Sequence, residues 1–275
     1  MKRIVILFVL CAKLINAQEY INIDHSNYNC TYSYAFQQDS ADKYSIKSQE
    51  MILQIGDRTS KFIHTHQFFV DSLSEVFKNV SPEAAFAQIW PQIQGNTIAP
   101  FCKLVIFKNY PDGKTITSTG YLSPNFYKIT EEASLQWQII PEKDTTLLGY
   151  TCHMATTWFA GRKYVAWFTL EIPISDGPYK FSGLPGLIIK IYDTRHQHDF
   201  ELISLKKISW KQPILFIENA FVEISAKDYV KAFNVWLAQM YNKIEREDGI
   251  TFADDETRIK ASVRVKSRNN FIERY

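Results

Sequence analysis

Two His-x-His triplets stand out for the chemistry they could support: His64-Thr65-His66 and His196-Gln197-His198. On a β-strand, residues two apart point to the same face, so each triplet would present its imidazoles together. Four such nitrogens, brought together, suit zinc or copper, with Asp193 or Asp199 to assist. The plainer reading places each pair at a turn or strand end as surface polar residues. Cys152-His153 has the look of a nucleophile beside a base, but strand neighbours face opposite ways. A dyad would need His25, His64, His66, His196 or His198 to reach Cys152; a buried inert thiol or disulfide partner is the simpler reading. Glu131-Glu132 and Asp254-Asp255-Glu256 are adjacent carboxylates, which seldom face one shared site and read as solvated surface. The sequence has no Gly-rich phosphate loop, Ser nucleophile elbow or metalloprotease helix motif, which weighs against the common hydrolases and nucleotide enzymes. No cofactor is expected.

The elements that must position these residues are mostly strands. Residues 28–36 are rich in Tyr, and Met51, Leu53 and Ile55 alternate before Gly56-Asp57 turns the chain into a returning strand over 60–64. Phe69, Leu73, Val76 and Phe77 then share a helical face over 67–78, with Asn79 as a stop. Ser81-Pro82-Glu83 opens a second helix into 84–90. Strands resume at 101–107 and 114–122 around the turn Tyr110-Pro111-Asp112-Gly113. Leu135, Trp137 and Ile139 alternate as a half-buried strand. Hairpins follow over 151–159 with 163–170, joined by Ala160-Gly161-Arg162, and over 186–192 with 199–205. Of the aromatics around the first of these hairpins, Trp158, Tyr164, Trp167 and Phe168, most belong in the core, with one face free to line a cavity or groove. A late helix is capped by Ser225, with Asp228 three residues on, and carries Tyr229, Phe233, Trp236, Met240 and Ile244 as a core-facing stripe. Six basic residues and one acid fill 258–275, which reads as a solvated tail or final edge strand.

The chain has 275 residues, 46% hydrophobic and 22% charged, with 19 Phe, 15 Tyr and 6 Trp against 10 Gly and 10 Pro, which excludes disorder and points to an aromatic-packed core. Residues 1–17 have a basic start, an aliphatic run from Ile4 to Leu10 and a small residue, Ala17, before Gln18; they read as a secretory signal peptide. Leu10 before Cys11 argues against lipidation. Removing that segment leaves 28 basic residues against 29 acidic, so no strong positive field favours nucleic acid. No later stretch is long and apolar enough to cross a bilayer as a helix. Cys30, Cys102 and Cys152 remain, and in an oxidising compartment any one pair of them could bridge. No linker or repeat interrupts residues 18–275, which are expected to form one domain.

The densest punctuation falls after Trp167: Pro173, Gly177-Pro178, Gly183 and Pro185-Gly186 break the chain. Leu184-Pro185-Gly186-Leu187 fits a type II turn, with positive φ expected at Gly186, delivering Leu187-Ile188-Ile189 into a buried strand. Gly183-Leu184-Pro185-Gly186-Leu187-Ile188 resembles the signature of the GLPGLI family, exported proteins of Bacteroidetes-type bacteria also called the Porphyromonas gingivalis family of unknown function. Gly149-Tyr150 with Cys152 and Ala155, Gly161-Arg162, Trp167 within Ala166-Trp167-Phe168-Thr169, Ile172-Pro173, Gly177-Pro178-Tyr179-Lys180-Phe181 and Asp193 recur in that family's order. Ile55-Gly56 with Ser60-Lys61-Phe62 resembles its early hairpin. The tail departs from it, with Asn270-Phe271-Ile272-Glu273 where Asn-Pro-Ile-Glu is the pattern. The resemblance implies a bacterial cell-envelope protein and brings no catalytic residues. It is also broadly similar to the half-open antiparallel barrels of periplasmic lipoprotein carriers.

The expected fold is therefore mainly β (α+β): a large curved antiparallel sheet, half-barrel or sandwich-like, with a few covering helices. The expected role is non-catalytic, in the periplasm, outer-membrane-associated or secreted, with a concave aromatic face holding an apolar ligand, a peptide or an outer-membrane partner. The alternative is a metal-dependent or Cys/His hydrolase using His64, His66, His196 and His198, or Cys152.

Overall fold

The fold is taken from a computed structural model of the chain, which describes residues 19–76, 80, 84, 104–247 and 254–275. The signal-like segment, the helix expected over 81–90 and Cys102 lie outside the described residues.

The described chain is mainly β, as expected: one open, curved sheet of twelve strands with few helices. Its middle is a pair of unusually long strands, β1 (Glu19–Gln37) and β11 (His198–Glu218), antiparallel along most of their length. On one side of this pair lie β2 (Ile46–Ile55), β3 (Ser60–His64), β4 (Val105–Lys108), β5 (Thr115–Leu122), β6 (Asn125–Glu132) and the short β12 (Phe221–Glu223). On the other lie β10 (Leu187–Asp193), β9 (Arg162–Thr169), β8 (Tyr150–Phe159) and β7 (Gln138–Leu147). All pairs are antiparallel except β12 with β6. Every sequence-expected hairpin forms, and Ala160 and Gly161, both at positive φ, make the tight β8–β9 turn that strand twist favours.

Strand alternation decides what faces the core. Cys30, Tyr32, Tyr34 and Phe36 of β1 meet Met51 and Leu53 of β2, Tyr164, Ala166 and Phe168 of β9, and Phe200 and Leu202 of β11 in one continuous buried cluster. Tyr34 and Phe200 stack with centroids 4.1 Å apart, a pairing favoured beyond area burial alone. Trp158 and Trp167 sit on the opposite, outer face, where Trp158 is exposed and Trp167 half-buried.

Helix α1 (Thr65–Val76) lies against β2 and β3 and is tied to them by a buried ion pair, Lys61 Nζ to Asp71 Oδ2 at 2.8 Å. Helix α2 (Ala226–Glu247) starts where the sequence indicates. Ser225 Oγ accepts the Asp228 N–H at 3.1 Å, and Tyr229, Phe233 and Trp236 pack toward Leu122 and Ile129. Helix α3 (Asp255–Lys266) follows.

Two local expectations change. The alternation at Leu135, Trp137 and Ile139 does not start a strand until Gln138, because the Trp137 indole turns to donate to the Ser182 carbonyl at 2.8 Å. The tail is neither a solvated arm nor an edge strand: α3 occupies its first part, and Asn270 and Glu273 beyond it are buried.

Candidate functional site

The punctuated segment between β9 and β10 lies across the core face of the sheet and becomes part of the core. Tyr179, Phe181 and Leu184 are 2%, 0% and 1% exposed, and Leu187 and Ile188 enter β10 fully buried. Each such large apolar side chain contributes roughly 1.5–3 kcal/mol on burial. Gly177, Pro178 and Gly186 are buried with them, while Pro173, Gly183 and Pro185 face out. Backbone bonds lock the segment: Leu187 N–H to the Ile172 carbonyl at 3.0 Å, and Ile188 N–H to the Asp176 carbonyl at 3.0 Å.

The turn differs from the type II expectation. Positive φ falls on Gly183, at 96°, and not on Gly186. Gly186 is required for a different reason: a Cβ there would stand 2.0 Å from the Thr169 carbonyl oxygen. The strand ends approach so closely that no side chain fits between them.

Polar residues of the same segment reach buried partners. Lys180 is 1% exposed and lies between two carboxylates, Glu273 at 2.6 Å and Glu131. Glu273 also accepts from the Tyr179 hydroxyl at 2.7 Å and the Tyr275 hydroxyl at 2.9 Å. Lys108, equally buried, pairs with Asp176 and donates to the Gly177 carbonyl. The two lysines respond oppositely. Burial pushes the Lys108 ammonium below its ordinary range despite Asp176. For Lys180 burial acts in the same downward sense, but two carboxylates outweigh it and hold the ammonium above that range.

These pairs border a cleft of about 660 Å³. One wall is the segment itself, through Ser175, Asp176, Ser182 and Gly183; the other is the β4–β5 turn with Asp112 and Lys114. Its lining is more polar than apolar. The aromatics expected to leave a concave groove instead pack on one another and on the segment: Tyr32, Tyr164, Phe168, Phe181 and Phe200 are at most 2% exposed.

The rest of the tail closes over a second polar centre. Arg162, 4% exposed, donates to Asp193 at 3.2 Å, Gln197 at 2.8 Å, Asn270 at 2.6 Å and the Phe271 carbonyl at 2.8 Å. Asp193 in turn accepts the N–H groups of Gln197 and His198, each at 2.7 Å. Asn270 bonds the Gln37 carbonyl at 2.8 Å, and Arg274 N–H bonds the Ala160 carbonyl at 2.9 Å. Residues 269–275 thus form a strap across the ends of β1, β9 and β11. Of these polar residues the sequence reading offered only Asp193 as a site residue, and there as an assistant to a metal, yet a further signal was there. Arg162, Asp193 and Lys180 sit within the motifs that carried the family resemblance, Asn270 and Glu273 in the tail that departs from it only in part, and all five are buried.

The histidine triplets separate in the structure. In the first, His64 ends β3 and Thr65 begins α1, and His64 Nδ1 accepts the His66 N–H at 3.0 Å, serving as the helix cap; in the second, His196 lies in the turn before β11 and His198 begins that strand. Burial and the neighbouring His66 lower the His64 pKa. His196 is an exposed turn residue at positive φ, stacked on Tyr192 with centroids 4.5 Å apart. His198 is fully buried and bonds Tyr34 Oη through Nδ1 at 2.7 Å. Among the described residues no group of three or more His, Cys, Asp or Glu is arranged to hold a metal ion.

Cys152 and His153 face opposite sides of β8. The thiol is buried and donates to the Tyr150 carbonyl, while His153 meets Asp144 at 2.8 Å across the β7–β8 pair. Burial raises the Cys152 pKa, which disfavours the thiolate. Cys30, the other described cysteine, is likewise free and buried. Glu131, read as solvated, is instead a partner of Lys180.

A family model described as "Protein of unknown function (Porph_ging)" matches residues 159–190, which contain the β8–β9 turn, β9 and the punctuated segment. This accords with the resemblance read from the motifs. No curated protein sequence matches the chain. Among solved structures, the chain is similar to PNGF-II in its P21 form, at 16% identity and a TM-score of 0.48, with 75% of this chain and 32% of that chain covered. The C2 form gives 16% identity and a TM-score of 0.47, with 74% and 32% covered. The chain therefore spans about a third of the length of the PNGF-II chains it matches.

Proposed function

We propose that this is an exported, non-catalytic protein of the bacterial cell envelope, folded as one binding domain over residues 18–275, that holds a polar polypeptide segment of a partner in the cleft beside the punctuated segment. The observation that carries this reading is the cleft itself: about 660 Å³, with Lys108–Asp176 and Lys180–Glu131 along it. Asp112, Lys114 and Ser175, exposed along it, offer charges of both signs and a hydroxyl to a backbone and its polar side chains, and the buried pairs behind them hold the walls. Aromatics that fill the core face leave the polar cleft better suited to a peptide than to an apolar ligand. The buried, high-pKa Cys152, turned away from His153, supports binding over nucleophilic catalysis.

Native mass spectrometry of the protein purified from a periplasmic fraction tests the reading. A co-purifying polypeptide is expected, together with an N-terminus at Gln18. An Asp112→Lys, Lys114→Glu variant, altered only in the exposed turn, should lose the passenger and keep its fold. A passenger-free native protein, or one whose passenger ignores that charge swap, contradicts the peptide role. Retention of the intact N-terminus in the cytoplasmic fraction contradicts export.

A further inference from the structure

A second cleft, of about 480 Å³, lies between the C-terminal strap, the turn joining β10 to β11, and α2 at Val230. Arg195 and Arg274 both line it. From this geometry we infer that the cleft binds a doubly charged oxyanion, a phosphate group in chemical class, held between the Arg195 and Arg274 guanidinium groups. The inference is independent of the peptide cleft.

The first argument is the way Arg274 is fixed. One of its terminal nitrogens is committed, donating to Gln197 Oε1 at 3.0 Å and Asn270 Oδ1 at 2.6 Å. Both acceptors are themselves buried and shared with Arg162. The guanidinium is thus oriented before any ligand arrives, with its other edge free to form the planar fork that suits phosphate oxygens. A pre-oriented donor avoids part of the ordering cost of binding.

The second argument is charge. Arg195 is exposed, and among the described residues its side chain has neither a hydrogen bond nor an ion pair. Burial, then the Arg162 and Arg195 charges, weaken the hold of Arg274 on its proton; an anion would relieve the charge crowding. Two nearby side-chain carboxylates, Asp193 and Glu273, are already engaged. Asp193 accepts from Arg162 and from the N–H groups of Gln197 and His198. Glu273, which lines the same cleft, is paired with Lys180 and accepts from Tyr179 and Tyr275. With those two side chains committed elsewhere, a pair of guanidinium groups lining one cleft matches a dianion better than a single carboxylate.

Calorimetric titration of the full chain with inorganic phosphate at low ionic strength and pH 8 tests this, beside sedimentation with vesicles of phosphatidate in phosphatidylcholine. Saturable binding is expected in at least one arm, with affinity falling as salt is raised. Arg195→Ala should weaken it roughly tenfold or more, the scale of a lost charge-assisted hydrogen bond. The thermal unfolding temperature should stay unchanged, and Arg195→Gln serves as the second variant. Phosphate binding alone identifies a soluble phosphate source; binding confined to phosphatidate vesicles identifies a lipid headgroup; either supports the site if Arg195→Ala and Arg195→Gln both reduce it. Absence of binding in both arms, or binding undiminished in the two variants, overturns it.

Discussion

Gly186 and Thr169 meet backbone to backbone: a Cβ on Gly186 would lie 2.0 Å from the Thr169 carbonyl oxygen and 2.7 Å from its carbonyl carbon. Carbonyl groups within a β-ladder cannot step aside without breaking their own pairing, and Leu187 pairs with Thr169 directly. Gly186→Ala should therefore destabilise the protein by at least the usual overpacking cost of about 1–3 kcal/mol. The check is thermal unfolding, where each kcal/mol lowers Tm by roughly 2–4 °C in a chain near this size. An alanine variant as stable as the parent would falsify the close approach.

That same glycine shows what the sequence could convey. Its position beside Pro185 marked a corner feeding Leu187 to Ile189 into a buried strand, and that is where they are. The reason was not legible, since Thr169 lies seventeen residues upstream and the requirement is a tertiary approach. Strands and α2 were readable because alternation and the three- and four-residue stripe are local signals. The His-x-His reading failed at Thr65 for a comparable reason. Periodicity places two imidazoles on one face only while the strand continues, and here the strand ends at His64, which caps a helix instead. No local pattern marks Lys108 and Lys180 as buried lysines. Only the fold brings Asp176, Glu131 and Glu273 to them.

Arg162 ties the strap to the sheet. Arg162→Met removes its donors to Gln197, Asn270 and the Phe271 carbonyl at once and leaves Asp193 without a cationic partner. Loss of one side of a buried ion pair costs about 3–5 kcal/mol. The expected outcome is a loss of that order in urea unfolding, with early proteolysis within 269–275. A variant that kept its stability and its protease resistance would show that the strap is held by other contacts.

For Lys108, the telling variant is Asp176→Asn, which keeps an oxygen to accept the Gly177 N–H but removes the charge facing the ammonium. The buried lysine then stands uncompensated, at a cost of about 3–5 kcal/mol. Adding Lys108→Met to the same chain should recover much of the loss, since no buried charge is then left without a partner. A double-mutant cycle by urea unfolding reads the coupling directly, and additive losses would argue that the two side chains do not interact.

His198 makes stability pH-dependent. Burial, then the charges of Arg162 and Arg274, hold its folded pKa well below the ordinary histidine range, with the Phe271 backbone pulling weakly the other way. The unfolded chain takes up a proton near pH 6.5 or so, roughly the free value, while the folded chain does not. The unfolded state then binds more protons below that pH, so stability is full above it and declines as the pH falls, until the folded pKa is reached. The slope this residue can add is at most about 1.4 kcal/mol per pH unit. His198→Gln retains a polar partner for Tyr34 Oη but cannot titrate. Urea unfolding between pH 7 and pH 5 should give the variant a shallower decline than the parent, by close to one proton's worth. Parallel curves for the two proteins would mean that His198 is protonated inside the fold, against the burial and the two guanidinium charges that surround it.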